Sequence, residues 1–354
     1  MKKILVIRFS SIGDIVLTTP VIRCLKNQLQ EAEIHVLTKK KFSGLYKTNP
    51  HIDKVYEFDS SLKDNITELK LENYDYVVDL QKNKRSVRVT RALSCPHSSF
   101  PKLNFRKFLL STFKINIMPD IHIVDRYFKA VEKLGVKNDY QGLDFFISEK
   151  NNYNLTELPQ EFHNGYYAFV IGGTYKTKIL PAVKVAEVIQ KINKPVVLLG
   201  GPDDVERAEE ILSLVNKSTS QQVNKLRELR EQGTGNKELD DLQLHYSKVL
   251  NLVGKINLER SASLVKNAES VLTNDTGLMH IAAAFHKNIV SVWGNTVPEL
   301  GMYPYLPKEP EKCHIVECKC VRCRPCSKLG FKECPRKHFK CMMDIDVRFI
   351  VDSL

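Results

Sequence analysis

The chain has 354 residues, a formal net charge of +12 and 43% hydrophobic residues, which is enough apolar material for two hydrophobic cores. It contains no run of eighteen apolar residues, and Met1 leads directly into a short strand-like segment without a small-residue cleavage site. These features argue against a membrane-spanning class and predict a cytoplasmic protein of two domains. The charge favours an anionic partner, which could be nucleic acid, an anionic membrane face or a phosphorylated glycolipid.

The first predicted element is a buried strand over residues 2–9, because this run is continuously apolar between flanking charges. The Ser- and Gly-containing loop SSIGD follows, so Asp14 lies just past the carboxyl end of the strand, where ligands collect in open α/β sheets. A plain helix-capping role suits the same aspartate, and the residues alone leave both roles open. Pro20 is predicted to begin a helix over residues 21–29.

Further strands are predicted at 34–38, 54–58 and 74–80, with helical or loop segments between them, which is typical of a doubly wound sheet. A helix is predicted over 122–134. The basic stretch at 82–107 suits a solvated surface, and its alternative role is to meet the phosphates or carboxylates of an acidic acceptor. Its basic residues are Lys82, Lys84, Arg85, Arg88, Arg91, Lys102, Arg106 and Lys107.

A polar, aperiodic segment over 151–165 is predicted to link the two domains. The second domain is predicted to open with a strand at 166–171, followed by a Gly-Gly-Thr174 loop whose backbone could approach a ligand closely. Lys178 follows just before Pro181, which is predicted to begin the next helix. A lysine on such a loop is usually only solvated, so the residues alone do not assign it a ligand.

The next strand is predicted at 195–199, and Asp203 and Asp204 follow it either as helix caps or as ligand contacts. Residues 216–247 are polar and poor in apolar side chains, so they are predicted to form an exposed insertion of helical and mobile pieces. A strand and a helix are predicted within 248–267.

Residues 269–294 read as a βαβ unit with polar residues at its first turn. The start of a helix offers unpaired N–H groups and a positive dipole end, so the backbone of Thr276, Gly277 and Leu278 could bind an anion. His280, four residues after Thr276, projects from the same face of the predicted helix. It lies near enough to lend a proton or positive charge to a phosphate. The alternative is an ordinary capped helix with a buried histidine.

Seven of the nine cysteines lie between residues 313 and 341. The C-x-x-C spacing of Cys323 and Cys326, with Cys334 and Cys341 beyond it, suits structural zinc or an iron–sulfur cluster. Reduced or redox-active thiols are the alternative, and interleaved lysines and arginines would also fit a small nucleic-acid-binding zinc module.

Several motifs together resemble glycosyltransferase family 9, the ADP-heptose:lipopolysaccharide heptosyltransferase family. NDTGLMHIAAA at 274–284 and GNTVP at 294–298 are similar to its donor-site signature. The resemblance continues in SSIGDIVLTTP at 10–20 and in the strand and loop at 167–181, and it covers most of the chain. It implies the GT-B fold, in which two Rossmann-like lobes face each other across a cleft.

The implied organisation is an acceptor-binding domain at 1–150 and a donor-binding domain at 166–340, with the Cys-rich tail at 313–341. A terminal helix within 341–354 is predicted to pack back on the junction between the domains.

The resemblance also implies roles for single residues. Asp14 matches the catalytic base, and Lys178 matches a diphosphate contact, although Leu180 stands where the family usually has an aromatic residue. Asp203 is the best match to a ribose contact. The further donor-side residues are Thr174, Asp275, Thr276, Gly277, Leu278 and His280, and the acceptor-side residues are Ser10, Ser11 and Gly13.

The predicted activity is an inverting, metal-independent transfer of a sugar, expected to be heptose from ADP-heptose, onto a lipopolysaccharide core or related glycolipid. The expected partners are the nucleotide sugar, an acidic glycolipid acceptor and the inner face of the cytoplasmic membrane, bound peripherally. A monomer is expected and no nucleic acid, and structural zinc is not required for catalysis. The rival prediction is a non-enzymatic protein that binds nucleic acid or an anionic surface and carries a zinc tail, but it leaves the loops at Asp14 and Asp275 without a role.

Overall fold

The computed structural model describes residues 2–231 and 248–354, and these residues contain two fully parallel sheets. The first sheet has the order β3-β2-β1-β4-β5 and the second has the order β11-β10-β9-β6-β7-β8. The predicted α/β class with two Rossmann-like sheets is therefore confirmed. The strands are β1 Lys3–Ile7, β2 Glu33–Lys39, β3 Lys54–Phe58, β4 Tyr76–Asp79, β5 His97–Ser99, β6 Tyr167–Val170, β7 Val196–Leu199, β8 Val249–Asn251, β9 Ser270–Asn274, β10 Asn288–Trp293 and β11 Cys313–Glu317.

Helices connect the strands of each sheet, as parallel neighbours require. Those of the first lobe are α1 Ile12–Val16, α2 Thr19–Gln28, α3 Gly44–Lys47, α4 Lys63–Leu71, α5 Lys84–Leu93, α6 Asn104–Phe108 and α7 Ile123–Phe128. Those of the second lobe are α8 Ala182–Lys191, α9 Val205–Glu231, α10 Leu258–Asn267, α11 Gly277–Ala284, α12 Lys340–Met343 and α13 Val347–Ser353. In the part of the chain that the structure describes, none of these helices is long and apolar enough to cross a bilayer.

One predicted helix differs from the structure, and the strands β5 and β11 were not predicted. The helix predicted over 122–134 ends at Phe128, and a separate 3₁₀ turn, Glu132–Leu134, follows because the backbone switches to i→i+3 hydrogen bonds from Lys129 onward. The first part of the predicted insertion, up to Glu231, continues α9 as helix, since its Lys, Glu, Gln and Arg residues are good helix formers. Residues 232–247 of that insertion lie outside the described residues.

The terminal helix, α13, lies against the second lobe, and its predicted packing on the junction between the lobes stays a prediction. It packs chiefly against α8 and β11 of the second lobe. Val347 and Ile350, one turn apart, are buried in the apolar core of that lobe, so the hydrophobic face of the helix is already covered there.

The lobes meet where α1 packs against α11. One buried apolar cluster runs through both lobes and includes Ile15 and Val16 from α1 with Met279 and Ile281 from α11. A second bridge forms at the start of α7, where His122 Nε2 lies 2.9 Å from the carbonyl oxygen of Tyr303. The contact between α1 and α11 brings the loop after β1 next to the loop after β9.

Candidate active site

Asp14 lies in the first turn of α1 and faces the cleft with about a quarter of its side chain exposed. Its Oδ2 accepts hydrogen bonds from the backbone N–H and the hydroxyl of Ser11, at 3.3 and 3.0 Å. Its Oδ1 pairs with Arg8 Nη2 at 2.7 Å. Because α1 begins at Ile12, Asp14 reaches back to the cap residue and does not itself cap the helix.

Arg8 fixes this carboxylate in place. It is buried just past β1, and its Nη1 donates to the carbonyl oxygen of Leu80 at 2.7 Å and to the hydroxyl of Tyr127 at 3.2 Å. Burial works to raise the pKa of Asp14, but the Arg8 guanidinium and the hydrogen bonds from Ser11 outweigh it and hold the pKa below its usual value. The carboxylate is therefore ionised at neutral pH.

A cavity of about 320 Å³ opens beside the Asp14 loop, at the carboxyl ends of the first-lobe strands. Its lining includes Ser10 from the predicted acceptor side, and Lys84 and Arg85 from the start of α5. The remaining lining residues are Phe9, Lys39 and Asn83. Part of the basic stretch thus lines a concave surface next to Asp14.

Two lysines lie within electrostatic range of Asp14, and a buried arginine lies near one of them. Burial and the nearby Arg126 lower the pKa of Lys107 to about 8, while the Asp14 charge acts in the opposite direction. Lys102 also lies within electrostatic range of Asp14, and burial lowers its pKa. Arg126 is buried, and its Nε and Nη1 have no hydrogen-bond partner among the described residues. A buried guanidinium without a counter-ion is costly, which marks this place as suited to an anion.

On the second lobe, Asn274 ties two loops together. Its Nδ2 donates to the carbonyl oxygens of Val170 and Gly172, at 3.3 and 3.2 Å, and its Oδ1 accepts from the backbone N–H of Leu180 at 2.9 Å. The N-cap of α11 is instead Thr276. The Asn274 side chain thus fixes the distance between the loop after β6 and the turn after β9.

Lys178 and Asp275 form an ion pair in the cleft. Lys178 Nζ lies 2.6 Å from Asp275 Oδ2, which also accepts a hydrogen bond from the Thr296 hydroxyl at 2.9 Å. Both paired side chains are mostly buried, at 16% and 12% exposure. Two residues predicted from separate motifs are therefore in contact, and the pair holds the lysine beside the start of α11.

His280 is buried one turn into α11, and its Nδ1 has no hydrogen-bond partner in the described parts of the chain. Burial lowers its pKa to about 4, although the Asp275 and Asp14 carboxylates pull in the opposite direction. The ring is neutral at neutral pH, so it offers a hydrogen bond rather than the positive charge suggested by its position. A Cβ added at Gly13 would lie 2.6 Å from His280 Cδ2, so α1 and α11 are packed tightly together.

The other predicted donor residues lie along the same edge of the second sheet. Thr174 is exposed in the loop after β6. Asp203 is exposed, whereas Asp204 is buried, accepts from the Gly201 N–H at 2.9 Å and pairs with Arg207 at 3.1 Å. Asp204 is thus committed to the turn, which favours Asp203 for a ligand.

The Cys-rich tail packs against the donor loop. The Phe331 N–H donates to the Thr177 hydroxyl at 2.8 Å, next to Lys178 in sequence. Arg324 is buried against the turn after β10 and donates to the carbonyl oxygens of Trp293 and Thr296, at 3.0 and 3.1 Å. The tail therefore supports loops that carry predicted donor residues.

The structure does not test the predicted zinc site. All nine cysteines are free, and Cys323 Sγ lies 3.8 Å from His338 Nε2. Among the described residues, the one trio of ligand atoms close enough to share an ion is Glu33, His35 and Glu72, and lysine ammonium groups already pair with both glutamates. A metal at Cys323, Cys326, Cys334 and Cys341 and reduced thiols at the same positions stay the two alternatives that the sequence leaves open.

Sequence reasoning missed Arg8 and Arg126. The signal for Arg8 was a single arginine at the end of an otherwise apolar strand, and for Arg126 a basic residue within an apolar helix. Buried cations at such positions need a partner, which points toward a site.

Known proteins resemble this chain in sequence and in fold. The family description "Glycosyltransferase family 9 (heptosyltransferase)" matches residues 65–330. Lipopolysaccharide heptosyltransferase 1 of Campylobacter coli is 26% identical over 320 residues, covering 83% of this chain and 84% of the relative. The structure of E. coli ADP-heptose lps heptosyltransferase II superposes with a TM-score of 0.68 at 21% identity, covering 100% of this chain and 97% of that one.

A second similar structure, E. coli heptosyltransferase WaaC with ADP, has a TM-score of 0.63 at 20% identity and covers 99% of this chain and 100% of that one. Both structures share the two-lobed GT-B fold expected from the sequence. Since the family match spans 266 of the 354 residues, the chain is a glycosyltransferase that belongs to glycosyltransferase family 9.

Proposed function

We propose that this chain is an inverting heptosyltransferase that moves heptose from ADP-heptose onto a lipopolysaccharide core or related glycolipid. One observation carries the proposal: the Asp14 loop of the first lobe and the turn of Lys178, Asp275 and His280 in the second lobe meet at one contact. A base and an anion-binding helix start on opposite walls suit transfer between two bound substrates. The names of the relatives, which specify heptose and lipopolysaccharide, support the choice of substrates.

In the proposed reaction, Asp14 accepts the proton of an acceptor hydroxyl while the hydroxyl oxygen bonds to the anomeric carbon of the donor sugar. The bond from that carbon to the diphosphate oxygen breaks in the same step, so a single displacement inverts the anomeric centre. The Arg8 guanidinium keeps the carboxylate deprotonated and oriented until the acceptor arrives.

Negative charge grows on the diphosphate as it leaves. The backbone at the start of α11 presents the positive end of the helix dipole, and Lys178 adds a full charge beside it. Neutral His280 supplies a hydrogen bond through a nitrogen that has no partner among the described residues. In this proposal these groups take the part that a divalent ion plays in metal-dependent transferases, and Asp203 contacts the ribose.

The acceptor side is basic. Lys102 and Lys107 lie within electrostatic range of Asp14, Arg126 lies near Lys107, and Lys84 and Arg85 line the neighbouring cavity, which suits phosphates or carboxylates on a glycolipid. We therefore place the protein at the inner face of the cytoplasmic membrane, attached peripherally, as a monomer and without a nucleic-acid partner.

The proposal is tested by supplying a panel of sugar nucleotides with a lipopolysaccharide-core acceptor and measuring release of the nucleoside diphosphate. ADP-heptose should be the preferred donor. Asp14→Asn should lower turnover by at least about a hundredfold, the usual effect of losing a general base, while ADP affinity measured by calorimetry stays unchanged. The matched control is Asp64→Asn, an exposed first-turn aspartate of α4. Near-normal turnover in Asp14→Asn would retire Asp14 as the base.

Calorimetry also separates the proposal from its rival. If short RNA binds more tightly than ADP at moderate salt and no sugar nucleotide is turned over, the chain is a binding protein and the transferase proposal is wrong.

A further inference from the structure

The positive charge of this chain is concentrated in one region. Between residues 80 and 119 there are nine lysines and arginines and no aspartate or glutamate. This region therefore carries +9 of the formal net charge of +12. The reaction uses only a few of these residues, so most of the charge has no role in the site described above.

Exposed apolar side chains accumulate at the end of the same region. Six of the fifteen large hydrophobic residues that are exposed in the described chain lie within the seventeen residues from 105 to 121. Soluble surfaces rarely expose such a contiguous apolar patch without a partner. The six are Phe105, Phe108, Phe113, Ile115, Ile117 and Ile121, with exposures of 69%, 51%, 58%, 52%, 45% and 46%.

This segment, residues 104–121, adjoins the catalytic cleft. Lys107 lies within it and is in electrostatic range of Asp14 and Arg126. At its other end, Lys114 Nζ donates to the carbonyl oxygen of Pro325 at 2.6 Å, so the segment also contacts the tail that supports the donor loop. A molecule that covers the segment is therefore next to the entrance of the acceptor side.

We propose that the 104–121 segment docks on an anionic lipid bilayer, with its phenylalanines and isoleucines in the boundary between headgroups and acyl chains and its basic residues among the headgroups. The inference rests on the proposed function in one respect, since a glycolipid acceptor would be reached from that bilayer.

The side-chain chemistry favours a bilayer over other anionic partners. Single-stranded nucleic acid is bound by aromatic rings that stack on bases, and three of the six exposed side chains are isoleucines, which cannot stack. A fluid bilayer accommodates aliphatic and aromatic side chains equally. Its anionic headgroups match residues 80–119, which contain nine basic residues and no acidic one, and Asp120 is the one acidic residue of the docking segment. Apolar and basic residues interleaved along one segment are typical of interfacial attachment.

The test is flotation of the full-length protein with vesicles of phosphatidylethanolamine, with or without phosphatidylglycerol, at low and high salt. We expect binding only when phosphatidylglycerol is present. High salt should lower the partition coefficient by about fivefold for each basic contact that it screens. The double variant Phe105→Ser, Ile115→Ser should lower the partition coefficient by at least about tenfold, because both side chains lose their apolar burial. Neither residue belongs to the catalytic site.

Phe349→Ser is the matched control, since Phe349 is 64% exposed on α13 of the other lobe and should not contact the bilayer. Transfer to a delipidated, soluble acceptor should be unchanged in the double variant, so failure of docking is distinguishable from failure of the transferase proposal. The docking proposal is wrong if the parent protein does not float with anionic vesicles or if the double variant floats as well as the parent. It is also wrong if Phe349→Ser loses as much vesicle binding as the double variant. Displacement of the protein from vesicles by short RNA at equal phosphate concentration would also overturn it.

Discussion

Gly277→Ala tests the contact between the lobes. An added Cβ would lie 2.7 Å from Cγ2 and 2.9 Å from Cβ of Ile12, whereas non-bonded carbons prefer about 3.5 to 4.0 Å. Because both atoms lie close to the backbone of Ile12, rotation of its side chain cannot relieve the clash, and α1 must move by roughly 1 Å. Overpacking of this kind costs about 1 to 3 kcal/mol.

That cost affects the contact between the lobes rather than the core of either lobe, because Ile12 lies in the first lobe and Gly277 in the second. The sequence suggested that the backbone at Gly277 could bind an anion, and on that ground a side chain there would obstruct the phosphates. The structure instead directs the Cβ toward α1. We therefore expect kcat/KM for transfer to fall by about 5- to 150-fold, the kinetic equivalent of 1 to 3 kcal/mol, with little change in ADP affinity.

The assay compares transfer kinetics, ADP calorimetry and thermal midpoints of Gly277→Ala with those of Gly44→Ala. An added Cβ at Gly44 has no atom within 4 Å, so this control should behave like the parent. If Gly277→Ala keeps its kcat/KM within twofold, the close approach of α1 and α11 is not needed for transfer. If ADP binding is lost instead, the glycine serves the phosphates.

Three other predictions concern the second lobe and the buried histidines. Lys178→Met should raise the KM for the donor by at least about tenfold, since a charge-assisted bond is lost, and an unchanged KM would remove Lys178 from the diphosphate site. EDTA should leave the transfer rate of the folded enzyme within about twofold of the untreated rate. The prediction is refuted if activity vanishes while the circular dichroism spectrum stays intact and then returns when magnesium is added. Burial holds the pKa of His280 and His122 at about 4 and 3, whereas in the unfolded chain they bind protons below about pH 6.5. Their contribution to the free energy of unfolding is complete above pH 6.5 and is lost as the pH falls from 6.5 toward 4. The loss is at most about 1.4 kcal/mol per histidine per pH unit. The thermal midpoint should therefore fall less steeply with pH in His280→Asn than in the parent.

The sequence predicted the central strands of both sheets because parallel strands buried on both faces appear as continuous apolar runs. The edge strands β5 and β11 were not predicted. The strand predicted over 2–9 contains β1, and the βαβ unit predicted over 269–294 is β9, α11 and β10. The helix predicted over 122–134 was too long. Its apolar spacing suits an α-helix, but the segment also turns against the second lobe, where Arg126 bonds to the Leu300 carbonyl, and such tertiary contacts override local periodicity.

Of the site, the motif positions could be predicted but their partners could not. Asn274 has the residue type and position of a helix cap, and only the fold shows that Val170, Gly172 and Leu180 come within reach of its amide. The pairing of Lys178 with Asp275 is likewise a contact between residues far apart in sequence. Periodicity and spacing report on local structure, whereas these contacts depend on which strand ends are neighbours in the sheet.

Arg8 imposes a compromise on the proposed base. A carboxylate with a lowered pKa is a weaker proton acceptor, so the ion pair by itself opposes catalysis. The acceptor hydroxyl, however, becomes acidic only as its oxygen bonds to the anomeric carbon, and a weak base is sufficient at that moment. Before that bond forms, the carboxylate must stay ionised and correctly placed. The negative charge of substrate phosphates in the same cleft would raise its pKa. Because Arg8 is itself fixed by the Leu80 carbonyl and the Tyr127 hydroxyl, it secures the charge and the position of Asp14 together.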